Sequence, residues 1–341
     1  NLPDPAVIPS EHFNTVLYTG NGVNNHAITG VGFQPDFLWI KQRGTTDYHW
    51  VNDAVRGATN NLYTNVTNAE VGINGGIKAF NTDGFTVGTE GGVNDNTGSF
   101  VAWNWKANGA GVSNTNGTIA STVSANADAG FSIVSYTGTG ANATVGHGLA
   151  KKPNIFMLKG RNDTPRNWRV YSDTIGATKH LYLNTTASEQ VSSTQFNNTE
   201  PTSSVFTIGS HGGVNTSTKD YIAYCFHSVD GYSKVGSYTG NGSTDGTFVY
   251  TGFRPAYVMI KQNGNSGWMI YDSKRSETNQ ANEYLQAQVT NIEVSSATDN
   301  PIDFLSNGIK MRYNNSATNY SNGTFIFLAF AEVPFKFSNA R

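Results

Sequence analysis

The chain has 341 residues, of which 13% are charged, about half of the ~25% usual in soluble domains. Its 22 basic and 24 acidic residues nearly cancel, to a net charge of −2, and they form no basic cluster, so composition offers no footprint for nucleic acid or an anionic membrane surface. No stretch reaches the ~20 apolar residues of a membrane span, and no charged-then-apolar leader opens the sequence. Its 16 Tyr, 19 Phe and 6 Trp argue against intrinsic disorder. A single cysteine, Cys225, rules out an intramolecular disulfide and any multi-cysteine metal site. Lying in the apolar run Tyr221–Phe226, it reads as a small core residue.

In chain order, residues 1–12, with Pro3, Pro5 and Pro9, read as an extended arm. No long segment after them has apolar residues at helical spacing, whereas short apolar or alternating runs recur, broken by Asn-Gly pairs such as Asn21-Gly22 and Asn241-Gly242. This is the pattern of strands and tight turns, and the chain is expected to be all-β.

The runs repeat. Phe13–Gly22, Phe131–Gly140 and Tyr232–Gly242 share a Tyr-Thr-Gly-x-Gly core. Each is followed by an apolar Pro-to-Lys run, Pro35 to Lys41, Pro153 to Lys159 and Pro255 to Lys261, with a spacing of six each time. Next come Trp50–Asp53, Trp168–Asp173 and Trp268–Asp272, and then the closing apolar strands Ser99–Trp105, Tyr221–Phe226 and Thr324–Phe330. Tyr18, Tyr136 and Tyr238 stand 118 and 102 residues apart, so each unit has the size of a domain. The organisation expected is repeat 1 over 13–106, a linker rich in Asn, Ser, Thr and Gly over 107–129, repeat 2 over 130–228, repeat 3 over 229–335 and a tail over 336–341. The unbroken apolarity of the Pro-to-Lys run fits a strand covered on both faces, paired as a hairpin with the Trp-to-Asp strand. The fold class is three tandem antiparallel β-sandwich domains of concanavalin-like or jelly-roll type.

The pattern Tyr-Thr-Gly-Asn-Gly, then Gly-Phe-x-Pro-x-Phe/Tyr-x-x-Ile-Lys, then Trp-x-x-(x)-Asp, together with Phe100–Lys106, Gly231–Gly242 and the ending Ala329–Lys336, resembles a repeat family. That family occurs in the C-terminal parts of tail-fibre and virion structural proteins of tailed bacteriophages, especially aquatic and cyanobacterial ones. The resemblance spans roughly residues 12–338. It implies a virion protein assembled in the host cytoplasm, a homo-oligomer (a trimer) partnered with other virion proteins, touching a host surface polysaccharide or receptor. It carries over no catalytic or binding residue.

The residues offer two kinds of site. Lys41/Asp53, Lys159/Asp173 and Lys261/Asp272 recur in every copy and read first as cross-strand ion pairs pinning the hairpin; Trp50, Trp168 and Trp268 read as core. Copy-specific residues are the binding candidates: Arg43, Asp47, Tyr48 and His49 in the first hairpin loop, and Arg161, Asp163 and Arg166 in the second. Tyr, Arg and Asp on loops suit a glycan or protein contact. Catalytic signatures are missing: no Gly-x-Ser-x-Gly elbow, no Cys/His grouping and no paired-carboxylate strand of glycanase type. The seven histidines, at 12, 26, 49, 147, 180, 211 and 227, show no metal-ligand spacing. Asn81–Gly84 and Asn94–Asn96 have oxygens suited to calcium, though Asx turns need no ion. We therefore expect a non-enzymatic virion protein of tail-fibre type, without cofactor or metal. A polysaccharide-degrading appendage and a purely architectural capsid-decoration or tail-knob protein are the alternatives.

Overall fold

The computed structural model describes residues 7–163 and 165–334. It is all-β, 44% strand and 3% helix, in antiparallel sheets that form sandwiches. Each repeat contributes a large sheet with the same order of six strands, extended to eight in the second repeat. In the first repeat the order is Phe13–Thr19, Ser99–Trp105, Phe37–Gln42, Trp50–Asp53, Asn60–Tyr63 and Val71–Gly72. The opening strand therefore pairs with the closing strand, and the closing strand with the Pro-to-Lys strand, in all three copies.

A smaller sheet covers one face of each large one: His26–Thr29, Gly84–Val87 and Ile77–Asn81 in the first repeat, Ala143–Gly146 with Val205–Ile208 in the second, and Phe248–Tyr250, Gly308–Met311 and Ile302–Leu305 in the third. Between the two sheets lies an outer core private to the repeat. In the first it holds Leu38, Ile40, Phe85 and Phe100; the other two repeats have their own equivalents.

The opposite faces of the three large sheets meet in one further core. Phe37 and Trp39 belong to it, whereas Leu38 and Ile40 belong to the outer core. Strand alternation thus divides the Pro-to-Lys run between two cores, which is why its sequence lacks a polar face. Trp105, Phe226 and Phe330 end the equivalent stretches of the three closing strands, and their rings form a triangle with centroid separations of 6.4, 5.8 and 5.6 Å. An approximate three-fold axis passes between them. Each repeat closes only its outer half alone; the inner half is completed by the other two.

Residues 107–129, expected as a linker, are instead built into the second repeat. Val112–Asn114 and Ser121–Asn126 add two antiparallel strands to its sheet, and Ile119 and Val123 enter its outer core. Their Asn and Ser content reads as loop, but every second residue of an edge strand faces water and tolerates it. Of the expected arm, residues 1–6 lie outside the described residues. Val7 is buried in the shared core and Pro9–Glu11 form a 3-10 turn, so the described part is packed. The tail, 336–341, also lies outside the described residues.

Candidate functional site

The hairpin registers correct two sequence alignments. Ile40 pairs with Trp50, Leu158 with Arg169 and Ile260 with Met269, so Trp50 is equivalent to Arg169 and Met269. The residue equivalent to Trp168 and Trp268 is His49. A one-residue offset in a strand changes the face: Trp50 lies in the first outer core, Trp168 and Trp268 in the shared core. Likewise Asp53 and Asp272 are matched by Ser172, not Asp173.

The expected lysine–aspartate pairs do not form. Lys41 Nζ donates to the carbonyls of Gln42 and Thr45 at 2.6 and 3.1 Å, Lys159 to those of Thr67 and Arg166 at 2.9 and 2.5 Å, and Lys261 to those of Gln262 and Gly264. All three ammonium groups are buried. Burial lowers Lys159 to about 7 and Lys41 and Lys261 to about 8. Each lysine ties its hairpin loop to the sheet through main-chain oxygens.

The aspartates pair with arginines three residues on. Asp53 binds Arg56, and Asp272 binds Arg275 at 2.5 Å, all four side chains at 0% exposure. Both pairs face a neighbouring repeat. Tyr224 of the second repeat donates to Asp53 at 2.7 Å, and Trp103 of the first donates to Asp272 at 3.0 Å. A glutamate completes each seam: Glu70 bridges Arg56 and Arg161, and Glu293 bridges Arg275 and Arg43. Burial alone would raise Glu70, but Arg161 and Arg56 hold its carboxyl below the usual range. At the third seam, between repeats 2 and 3, the equivalent residues are Ser172, Ile175 and Leu328, with Asn263 in place of arginine.

Main-chain bonds at the seams repeat all three times. Glu70 N–H donates to Arg161 O, Glu189 to Asn263 O and Glu293 to Arg43 O. Arg166, Ser266 and Asp47 N–H donate to Thr67, Thr186 and Thr290 O. Trp168 and Trp268 indole N–H donate to Tyr63 and Tyr182 O, both at 2.8 Å. The chain therefore closes as a ring, repeat 1 on 2, 2 on 3 and 3 on 1.

The hairpin-loop candidates are largely absorbed by this closure. Arg43 and Arg161 make two-pronged ion pairs with Glu293 and Glu70, and Asp47 is anchored through its main chain. His49 is fully buried, and its Nδ1 accepts from Trp39 Nε1 at 3.0 Å; burial, then Lys41 and Arg275, hold it well below the usual histidine range. Asp163 binds Arg166 and Thr216, each at 2.9 Å. Tyr48 alone remains open, at 39% exposure, its ring 4.6 Å from Tyr63.

The Tyr-Thr-Gly motif is likewise structural. The hydroxyls of Tyr18, Tyr136 and Tyr238 donate to the carbonyls of Val93, Val214 and Thr318 at 2.6–2.7 Å. The next residues, Asn94, Asn215 and Asn319, are fully buried and satisfy the main chain of the motif's loop. A Cβ on Gly20 would stand 2.2 Å from Asp95 O, which requires glycine there. The Gly-Gly-Val-Asn that occurs at 91–94 and 212–215 is the sequence signal of this anchor, and Asp-x-x-Arg is that of the charged seams. Of the calcium candidates, Asp83 accepts from Gly30 and Gly32 N–H, while Asn94 is spent as above.

An open groove of about 340 Å³ does lie on the third repeat, lined by Asp230, Lys234, Tyr250 and Thr251 among others. Tyr250 is 57% exposed and Phe248, two residues before it on an edge strand, 44%. Lys234 Nζ lies 4.9 Å from the Tyr250 ring centroid. The equivalent of Tyr250 is Thr29 in the first repeat and Gly146 in the second, so this feature belongs to one copy only.

No curated protein matches the chain. One family model does, over residues 8–334, a span that takes in all three repeats and every seam: the chain belongs to the family described as a domain of unknown function, DUF7483.

Proposed function

We propose that the protein is a non-enzymatic structural component of a tailed-bacteriophage particle, of tail-fibre or appendage type, and that it adheres to a host surface glycan or receptor. The reading rests on the sequence resemblance and on one structural observation: the residues that recur in all three copies are committed to the fold, the lysines tying each hairpin loop to its sheet and the Tyr-Thr-Gly tyrosines anchoring each motif loop. What is left for contact is copy-specific, and the Tyr250 groove is the clearest case. An exposed ring with a carboxylate, an ammonium and a hydroxyl beside it suits a sugar, whose C–H face stacks on the aromatic while its hydroxyls bond the rim. A surface poor in charge also keeps such contacts insensitive to salt. The test is binding of the purified protein to intact host cells and to their extracted glycans. The reading expects binding that Tyr250→Ala weakens strongly, with no new reducing ends released. Release of reducing ends overturns the non-enzymatic part; absence of any binding overturns the adhesive part in favour of pure architecture.

A further inference from the structure

At one position the second repeat buries a charge where the other two carry an uncharged side chain. At the position of Trp50 and Met269 it carries Arg169, and at the position of Asn61 and Tyr284 it carries His180; their exposures are 6% and 2%. Among the described residues no carboxylate pairs with Arg169. Its guanidinium lies 4.5 Å from the Tyr182 ring centroid and donates to Asn167 O, but its Nε has no partner, and neither ring nitrogen of His180 has one. The first repeat also leaves Trp50 Nε1 and Asn61 unpartnered. Those groups are neutral, and a single buried water is enough to satisfy groups of that kind. A buried guanidinium is different, since burying an uncompensated charge costs far more than burying a dipole.

More donors converge on the same place. A Cβ on Gly212 would lie 3.2 Å from Arg166 Nη2, and one on Gly213 only 2.8 Å from Arg169 Nη2, so two guanidinium groups flank one Gly-Gly step. His211 Nδ1 accepts from Gly213 N–H at 2.8 Å, which leaves its Nε2 as a donor. The nearby acid, Asp163, is already held by Arg166 and Thr216. Burial, then Arg169, lowers His180 to about 4, and burial, then Arg169 and Arg166, lowers His211: the guanidinium groups disfavour a charge on either ring, and the carboxylate beside them, Asp163, is paired with Arg166. Arg166 and His211 are partly exposed, whereas Arg169 and His180 are buried behind them.

We propose that the second repeat is an anion site, in which Arg169 and His180, with Arg166 and His211 at the rim, bind a small inorganic oxyanion. Bound there, the anion supplies the missing acceptors and the missing negative charge, and it links the hairpin loop to the Gly-Gly turn.

The experiment titrates phosphate-free protein with inorganic phosphate at pH 7 and constant ionic strength. It follows thermal unfolding and, by NMR, the histidine ring resonances. The expected result is a saturable rise in Tm of several degrees at low millimolar phosphate, with upward shifts in the pKa of His180 and His211. Arg169→Met, the third repeat's residue, should weaken phosphate roughly 10- to 100-fold. Arg166→Gln, a change at the partly exposed rim, should weaken it about tenfold and keeps the test decisive if Arg169→Met fails to fold. A small unsaturating rise shared by wild type and variants, or histidine pKa values that phosphate leaves unmoved, would overturn the proposal and leave water as the occupant.

Discussion

Two of the three seams carry a buried carboxylate–guanidinium pair keyed to a polar aromatic ring, Asp53–Arg56 with Tyr224 and Asp272–Arg275 with Trp103. The third has Ser172, Ile175 and Leu328 in the same places. All three residues change together, so the chain holds two self-consistent solutions of one interface. A buried ion pair contributes little net stability over an apolar replacement of similar volume, but removing one partner alone is expensive. The seams without and with charge are therefore expected to be similar in strength and very different in their tolerance of single changes.

Acid has the largest expected effect. His147 and His180 are lowered by burial to about 4 and His49 well below 6.5. Between pH 6.5 and about 4 the unfolded chain therefore binds protons that the folded one refuses, and stability falls as pH falls through that window. Each histidine contributes up to about 1.4 kcal/mol per pH unit. Urea titrations in phosphate-free buffer should show this loss, and a flat profile would contradict the burial. His49 adds its share at the seam between repeats 3 and 1, where the other two seams carry tryptophan.

Next in size, Arg56→Met should cost about 3–5 kcal/mol by leaving Asp53 buried and unpaired. Converting the whole node to the third seam's version, Asp53→Ser with Arg56→Ile and Tyr224→Leu, should return most of that loss. If the triple change is as damaging as the single one in urea denaturation, the two solutions are not interchangeable.

The smallest effect concerns Trp39 and His49, which stand where the other repeats have Met157 with Trp168 and Met259 with Trp268. His49→Trp alone should overpack the shared core and cost about 1–3 kcal/mol; adding Trp39→Met should relieve it, so that a double-mutant cycle reports a favourable coupling. Additive costs would show that the pairing is coincidental.

Much of the fold was legible in the sequence. The all-β class, the three copies and the hairpin after the Pro-to-Lys run follow from local patterns, and Cys225 is a core residue. Closure was not legible, because Trp105, Phe226 and Phe330 meet across more than a hundred residues each and no local period marks it. The hairpin loops differ in length by one or two residues between copies, so aligning them on the nearest Trp and Asp puts Trp50 with Trp168 and Asp173 with Asp53, on the wrong faces. Charged loop residues such as Arg43 and Arg161 look like ligand contacts in isolation; only the neighbouring repeat's glutamate gives them a structural use. The Tyr250 groove was missed because its residues are far apart in sequence and individually ordinary.

The central claim is that the three repeats form one body around a shared core. Scanning calorimetry of the whole chain tests it most directly. One transition is expected, with a calorimetric enthalpy equal to the van't Hoff enthalpy. Separate transitions, or a calorimetric enthalpy about three times the van't Hoff value, would mean that the repeats unfold independently and would contradict it.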